Sequence, residues 1–272
     1  MKYLRLVRIY QWPKNVLVFA GILFVLPESL VRIPEALLLF AAFCAASSFV
    51  YIINDLADRR RDAKHPTKRH RPLASGQITP KAALVVAILA LAVAATSFFV
   101  STTAGVITAL YIAFNIAYSS GLKHVPYLDV LILSSGYVLR VLAGTEGLAI
   151  PISEWMLIVA FFGALMIGLG KRYAETTLHG GRPSTKGIRA SDLKLMVVAA
   201  ATLTIATYAI YAQAQSSPLM LLSIVPATTA ALRYIPLIEE HDDPTKALFT
   251  SKTVLISGAI YGLLVIAAQV LV

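Results

Sequence analysis

The sequence is poor in charged residues and almost free of cysteine. Charged residues make up 14% of the 272 positions, while hydrophobic residues make up 58% and the mean hydropathy is +0.74. This balance excludes an ordinary soluble domain and indicates a chain that lies in a bilayer. The single cysteine, Cys44, excludes a disulfide framework and a CxxC-type metal site, and its apolar surroundings predict a small core residue.

Neither a linker between domains nor a cleavable leader is expected from the sequence. No Ser-, Gly- or Pro-rich stretch separates two halves, so we predict a single domain over residues 1–272. The basic N-terminus precedes an apolar run without a small-residue cleavage site. A first membrane helix is therefore expected there, and not a removed signal peptide.

Apolar stretches long enough to cross about 30 Å of hydrocarbon recur along the chain. A backbone in lipid must satisfy its own hydrogen bonds, and the alternating pattern of a membrane barrel is missing. We therefore predict an all-α integral membrane protein with a bundle of nine transmembrane helices. The predicted spans lie near residues 16–33, 36–53, 81–100, 103–119, 127–146, 154–170, 194–213, 217–233 and 252–271.

The lysines and arginines predict the orientation of the bundle. They concentrate in the N-terminal segment and in the connections after the even-numbered helices, whereas the opposite face has only Arg32. Because cytoplasmic loops are enriched in these residues, the N-terminus and the long loops are expected in the cytoplasm. The net charge of +10 is also expected to attract anionic lipid headgroups.

An acidic motif ends the second predicted helix. Asp55, Asp58 and Asp62 follow Asn54, and at 100° per residue they fall within about 60° of one another on a helix. Carboxylates that converge at the mouth of a membrane bundle repel one another and lose hydration, so a cation is expected among them. A hard divalent ion that also binds phosphate oxygens fits this position.

Basic residues surround this motif. A solvated helix end, neutralised by Arg59–Arg61 and Lys64, is the alternative to a metal site. The loop that follows contains Lys68, Arg69 and Arg71, which are predicted to hold phosphate oxygens that a metal does not reach. A merely solvated charge is the alternative for each of the three.

The chain resembles the UbiA-type intramembrane prenyltransferase superfamily through its NDxxDxxxD motif, which Asn54, Asp55, Asp58 and Asp62 match in full. The likeness covers most of the chain to residue 175. Further segments resemble one branch, the decaprenyl-phosphate phosphoribosyltransferases: Gln11–Asn15, His65–Pro72, Asn115–Ser119, Leu122–Lys123, Ser135–Arg140 and Gly170–Glu175.

The resemblance implies an activity and a place in the cell. The branch transfers 5-phosphoribosyl from phosphoribosyl diphosphate (PRPP) to a polyprenyl (decaprenyl) phosphate and releases diphosphate, with Mg²⁺ as cofactor. It implies a bacterial inner (cytoplasmic) membrane, an active site that faces the cytoplasm, and a product used for cell-wall arabinan. The expected partners are PRPP, the polyprenyl phosphate lipid and the membrane, without nucleic acid; a homo-oligomer is left open.

The sequence departs from the usual superfamily pattern. Typical members hold a prenyl diphosphate with a second, DxxxD-like motif between helices 6 and 7, but here that loop has only Glu175 and Asp192 as acids. The acidic stretch Glu239–Asp243 lacks that spacing and is left open between a metal site and a solvated loop. The departure favours the phosphoribosyl donor over an aromatic prenyltransferase. A transporter is the alternative from another class, and the broken repeats that it would need are missing.

The remaining candidate residues are cations, hydroxyls and amides near the expected pocket. Arg140 lies within the fifth helix, where an arginine costs at least about 2.5 kcal/mol unless it finds a partner; an anion site or a pair with Asp129 or Glu175 is expected. Lys14 and Asn15 are expected at the first turn of helix 1, where free N–H groups can bind phosphate. We predict Asp55, Asp58 and Lys14 as catalytic residues and Asp55, Asp58 and Asp62 as metal ligands. The predicted substrate-binding residues are Lys14, Asn15, Asn54, Lys68, Arg69, Arg71, Tyr118, Lys123, Arg140, Lys171, Arg172 and Tyr173.

Overall fold

A computed structural model describes residues 1–66, 68–151, 153–179, 185 and 187–271, except for the side chain of residue 179. These residues form helices and turns without a strand, which confirms the all-α prediction. The α-helices are α1 Lys2–Leu6, α2 Ala20–Phe24, α3 Ile33–Asp62, α4 Pro80–Ala95, α5 Ser97–Val100, α6 Thr102–Ser120, α7 Leu128–Gly144, α8 Glu154–His179, α9 Ala190–Ala214, α10 Pro218–Leu222, α11 Ile224–Glu240, α12 Pro244–Leu248 and α13 Lys252–Val270.

Within the described residues, eight helical segments are long and apolar enough to cross a membrane. They correspond to the second through ninth predicted spans, so the chain is a multi-pass membrane protein. The predicted first span at 16–33 is not one continuous helix. It consists of a 3₁₀ segment at Ile9–Phe19, the short α2, and another 3₁₀ segment at Glu28–Arg32. The nine-helix count is therefore not confirmed.

Two helices continue well beyond their predicted spans. Helix α3 has 30 residues, which at 1.5 Å per residue corresponds to about 45 Å and exceeds the hydrocarbon thickness of about 30 Å. Its last turns carry the acidic motif. Helix α8 extends to His179 and carries Lys171, Arg172 and Tyr173, which the sequence placed at or beyond the helix end.

The described residues divide into two compact units. The first consists of Met1–Gly21, Val31–Ser120 and Leu139–Ile150, and the second of Ile22–Leu30, Gly121–Val138 and the chain from Pro151 onward. In the first unit, α3 packs against α4, α6 and the 3₁₀ segment Ile9–Phe19. In the second unit, α8 packs along α9, and α11 packs against α9 and α13.

Each unit has its own apolar core. In the first unit, a buried cluster beside the acidic end of α3 consists of Leu6, Ile52, Leu73, Ile78, Ala83 and Ala87. In the second unit, Tyr234 is fully buried between α8 and α9, and its hydroxyl donates to the Ile167 carbonyl oxygen at 2.9 Å. The first cluster packs Leu73 and Ile78, which follow the basic loop, against Ile52 of α3.

Candidate active site at the end of helix α3

The acidic motif lies on the last turns of α3, as the sequence predicted. Asp55 and Asp62 are buried, with 3% and 2% of their side chains exposed. Asp58 is 19% exposed, and Asn54 is half-buried. Asp55 and Asp62 are therefore shielded from solvent, which argues against the alternative of a merely solvated helix end. Buried carboxylates need ionic partners, because the loss of hydration is otherwise too costly.

Arginines from distant parts of the chain supply those partners. Arg8 Nη2 lies 2.6 Å from Asp55 Oδ1. Arg71 Nη1 lies 3.0 Å from the same oxygen and 2.7 Å from Asp62 Oδ2. Only Asp58 pairs with its own helix, through Arg61 Nη2 at 2.7 Å. The acidic motif and the basic loop thus meet, as the succession of acid and base along the sequence suggested.

The loop after α3 folds so that Arg71 returns to the helix. A 3₁₀ turn covers Lys68–His70, and the Arg71 N–H donates to the Lys68 carbonyl oxygen at 2.9 Å. The next residues anchor the loop, because Leu73 and Ile78 are buried in the first unit's core. Arg69 is exposed, and its Nε lies 3.3 Å from His70 Nε2. Arg71 thus contacts the acidic motif directly.

The donor set of the motif suits Mg²⁺. Carboxylate and amide oxygens are the hard ligands that this ion takes in proteins, usually one or two carboxylates with the remaining positions filled by water and substrate phosphate. Among the described residues, no three His, Cys, Asp or Glu side chains converge closely enough to hold one ion by themselves. A site completed by a phosphate ligand therefore fits these residues better than an all-protein cage.

Arg140 is the centre of a second buried cluster in the first unit. Its Nε donates to Asn15 Oδ1 at 2.7 Å, and its Nη2 donates to the Tyr111 hydroxyl at 2.9 Å. The guanidinium carbon also lies 4.7 Å from the centre of the Tyr111 ring. Asn15 in turn donates to Ser47 Oγ at 3.3 Å. Hydrogen bonds and a cation–π contact therefore stabilise this arginine inside the bundle.

One expectation about this cluster needs correction. Lys14 and Asn15 do not begin a helix, because they lie in the middle of the 3₁₀ segment Ile9–Phe19. These residues therefore do not offer an anion the free N–H groups of a first helical turn. Asp129 and Glu175, the acids named as possible pairs for Arg140, both bond Arg172, and a pair between either acid and Arg140 stays a prediction.

In the second unit, Arg172 is buried with acids on both sides of its guanidinium. Its Nε lies 2.8 Å from Asp129 Oδ2, and its Nη1 lies 2.7 Å from Glu175 Oε2. These contacts tie α8 to the start of α7. Lys171 is exposed on α8. The structure thus gives Arg172 a structural contact that the sequence did not indicate, while its predicted substrate role stays a prediction.

The other predicted residues are more accessible. The Tyr173 hydroxyl lies 3.4 Å from Glu239 Oε1, which also accepts from Lys194 Nζ at 2.6 Å. Tyr118 on α6 is half-buried in the first unit. In the second unit, Lys123 is half-buried in a 3₁₀ turn at Leu122–His124. Their roles in binding stay predictions.

The acidic stretch Glu239–Asp243, which begins at the end of α11, lies on the protein surface. Glu239 pairs with Lys194, and Glu240 pairs with Arg233 at 2.8 Å. Asp243 caps α12 by accepting from the Lys246 N–H at 3.3 Å. The sequence left a metal site and a solvated loop open for this stretch. Because these acids have separate partners, the structure favours the solvated loop.

Sequence reasoning missed Arg8, Tyr111 and the structural use of Asp129. Arg8 was counted only with the basic N-terminal segment, although it lies three residues before Gln11–Asn15, one of the segments that carry the family resemblance. Tyr111 precedes the Asn115–Ser119 segment by one helical turn, and the Asn115 Nδ2 donates to its carbonyl oxygen at 2.8 Å. Neither spacing identifies the partner, because the contacts join residues far apart in the chain.

Comparisons with known proteins agree with this architecture. Decaprenyl-phosphate phosphoribosyltransferase from Mycolicibacterium smegmatis is 35% identical over 257 residues, which cover 85% of this chain and 80% of the relative. The enzyme of the same name from Corynebacterium glutamicum is 34% identical over 249 residues, with 85% and 75% covered.

Solved structures show the same fold. A UbiA homolog from Archaeoglobus fulgidus, bound to DMAPP and Mg²⁺, matches with a TM-score of 0.77 and 21% identity over 98% of this chain and 99% of that one. The same homolog bound to GPP and Mg²⁺ matches with a TM-score of 0.76 over 98% and 100%. The profile of the UbiA prenyltransferase family matches residues 15–260. The chain therefore belongs to the UbiA prenyltransferase family.

Proposed function

We propose that this protein is a polyprenyl-phosphate phosphoribosyltransferase that transfers 5-phosphoribosyl from PRPP to decaprenyl phosphate or a similar lipid and releases diphosphate. The observation that carries the proposal is Arg71, whose Nη1 contacts both Asp55 and Asp62. It brings an anion-binding cation and hard metal ligands to one place, as a metal-bound diphosphate requires. The names of the relatives with 34% and 35% identity support the same reaction.

Asp55 and Asp58 are the proposed principal metal ligands, with Asp62 as a third carboxylate and Asn54 as an orienting amide. When Mg²⁺ is bound, it neutralises charge on the donor diphosphate and so improves the leaving group. Arg71 contacts this motif from the loop side, and its planar guanidinium can bind phosphate oxygens in pairs. Lys68 and Arg69 extend the same basic loop toward the 5-phosphate of the donor.

The chain's own residues then have to orient two anionic substrates. The acceptor phosphate is already ionised at neutral pH and attacks C1 of the ribose as the bond to diphosphate weakens. A strong general base is not needed for this step. Lys14 and Asn15, on the 3₁₀ segment of the first unit, are proposed to bind substrate phosphate and hydroxyl groups, and their contribution is orientation and charge stabilisation.

Arg140 has a different proposed role. It is 6% exposed and bonded to Asn15 and Tyr111, so we assign it to holding Asn15 in place within the substrate site. In the same unit, Tyr118 is proposed to donate a hydroxyl to the substrate. In the second unit, Lys123, Lys171, Arg172 and Tyr173 keep their proposed roles toward anionic groups.

The proposed setting is the bacterial cytoplasmic membrane, with the N-terminus and the acidic motif on the cytoplasmic side and the whole chain as one domain. Water-soluble PRPP would reach the motif from that side. The product, a phosphoribosyl lipid, would serve as a precursor for cell-wall arabinan.

A transfer assay with purified protein in detergent tests the proposal. The protein receives radiolabelled PRPP and a polyprenyl phosphate, with Mg²⁺ or with EDTA. A labelled lipid that forms only with the metal is expected. If folded protein with verified lipid supply yields no labelled lipid but couples a polyprenyl diphosphate to an aromatic acid, the aromatic prenyltransferase alternative replaces this proposal.

A further inference from the structure

Arg8 has no assigned part in the proposed reaction, yet the structure holds it firmly at Asp55. Its Nη2 lies 2.6 Å from Asp55 Oδ1, and its guanidinium carbon lies 4.7 Å from the centre of the Tyr51 ring. Only 12% of the Arg8 side chain is exposed. Its backbone φ of 54° lies in the left-handed region, which residues with a Cβ adopt infrequently. Backbone, ring and carboxylate together fix the position of this guanidinium.

The oxygen that Arg8 contacts is already shared. Arg71 Nη1 lies 3.0 Å from the same Oδ1 of Asp55. A carboxylate oxygen accepts about two hydrogen bonds through its lone pairs, so two N–H donors leave little capacity for a cation. A metal ion that binds Asp55 through this oxygen therefore has to displace one of the two arginines.

The charges of this cluster balance without any ligand. Arg8 and Arg71 carry two positive charges against the two carboxylates of Asp55 and Asp62. A divalent cation alone would add two positive charges to a balanced and largely buried group. An anionic donor alone would add negative charge beside two buried carboxylates. When the two enter together, the charge of the metal offsets most of the charge of the donor diphosphate, so the pair disturbs this buried group less than either ion alone, which low local polarity favours.

We propose that Arg8 is a resident counter-ion of Asp55 that leaves the carboxylate when a divalent metal and a diphosphate-bearing donor enter together, and that it then binds a donor phosphate. This rests on the proposed function for the identity of the donor, whereas the competition between Arg8 and a metal ion for Asp55 does not depend on which donor binds. Arg8 acts on the metal through Asp55 and is in that respect a positioning residue. The exchange makes metal and donor bind cooperatively.

Binding of Mn²⁺ alone, followed by electron paramagnetic resonance on the full-length protein in detergent, tests the exchange. Arg8→Gln removes the competing cation, so its Mn²⁺ affinity without donor is expected to rise at least about fivefold, the lower end of usual couplings between sites. Arg60→Gln is the matched control, because Arg60 is an exposed residue on the same helix end and its loss removes the same charge. Equal affinities for the two variants, or weaker binding by Arg8→Gln, overturn the proposal.

Kinetics and a conservative variant complete the test. Arg8→Gln is expected to raise the KM for PRPP more than it lowers kcat. Arg8→Lys is expected to have a KM between those of Arg8→Gln and the wild type. If Arg8→Gln does not fold, Arg8→Asn carries the metal measurement, since asparagine also removes the competing cation and tolerates the left-handed backbone; a Mn²⁺ affinity no higher than that of Arg60→Gln then overturns the exchange.

The outcomes separate this inference from the proposed function. One outcome is that Arg8→Gln binds Mn²⁺ more tightly while the wild type makes no phosphoribosyl lipid. This result supports the exchange at Asp55 but rejects PRPP as the donor. Lipid formation by the wild type, with Mn²⁺ affinity of Arg8→Gln no higher than that of Arg60→Gln, rejects the exchange and leaves the reaction in place.

Discussion

Asp129 and Arg172, which lie 43 residues apart in the chain, form an ion pair in which both side chains are almost completely buried, at 2.8 Å between Oδ2 and Nε. Asp129 belongs to the first turn of α7, and Arg172 lies about two turns before the end of α8. Removing Asp129 leaves the buried Arg172 without one of its two counter-charges. Helix packing in the second unit therefore depends on this contact.

Asp129→Asn is expected to lower the free energy of unfolding by about 3–5 kcal/mol, the usual effect of breaking a buried pair. Thermal or denaturant unfolding in detergent measures this loss. Asp192→Asn is the control, because Asp192 pairs with Arg189 on an exposed surface and its loss should leave stability unchanged. If the two variants unfold alike, Arg172 does not depend on Asp129.

The acidic motif should be essential for turnover and not for folding. Asp55→Asn and Asp58→Asn keep the shape of the side chain but weaken binding of a divalent ion, so kcat is expected to fall by about 100-fold or more. The transfer assay measures kcat, and size-exclusion chromatography in detergent reports folding. Asp242→Asn removes an exposed acid from the loop after α11 and should retain full activity. Activity close to wild type in Asp55→Asn would reject the metal assignment.

The sequence predicted most helices because apolar runs in a membrane protein are long and continuous. It failed at residues 16–33, where the run is apolar but Pro27 and the short segments around it interrupt the helix. Hydropathy measures how apolar a stretch is and not whether its backbone stays helical. The apolar spans also end before α3 and α8 do, because charged residues such as Asp55 and Arg172 lower the mean hydropathy without ending a helix. For α3, the helical spacing of the acidic motif placed Asp55 to Asp62 on the helix nevertheless.

The candidate site was likewise predictable from the sequence only in part. The motif at Asp55, Asp58 and Asp62 could be found because its spacing is local and follows the period of a helix. Arg71 was found through the charge of its loop, but its bond to both Asp55 and Asp62 needs the return of that loop onto α3. Arg8 lies 47 residues from Asp55, and a contact over that distance leaves no periodic signal in one sequence.

Tyr111→Phe tests the buried cluster around Arg140. The substitution removes the hydroxyl that accepts from Arg140 Nη2 at 2.9 Å but keeps the ring beneath the guanidinium. A hydrogen bond to a charged group usually contributes about 1.5–3 kcal/mol, so the free energy of unfolding should fall by that amount. Unfolding in detergent checks it. Tyr10→Phe, at an exposed tyrosine, should have no effect, and equal stabilities of the two variants would contradict the role of the hydroxyl.

Gly144, the last residue of α7, should not tolerate a side chain. A Cβ built there would lie 1.8 Å from the Val18 carbonyl oxygen, so the 3₁₀ segment Ile9–Phe19 packs directly on the helix backbone. Because that neighbour is backbone, it cannot move aside as a flexible side chain could. Gly144→Ala is expected to lower the free energy of unfolding by about 1–3 kcal/mol through overpacking.

The same substitution on α13 gives the matched comparison for this contact. A Cβ at Gly258 meets no atom within 4 Å, and alanine is the better helix former by about 1 kcal/mol. Gly258→Ala should therefore keep or slightly raise the unfolding free energy in the same detergent. Because Asn15 lies in the segment that Gly144 supports, Gly144→Ala should also raise the KM for PRPP, whereas Gly258→Ala should not. A Gly144→Ala protein with wild-type stability and KM would show that the segment does not pack on α7 as described.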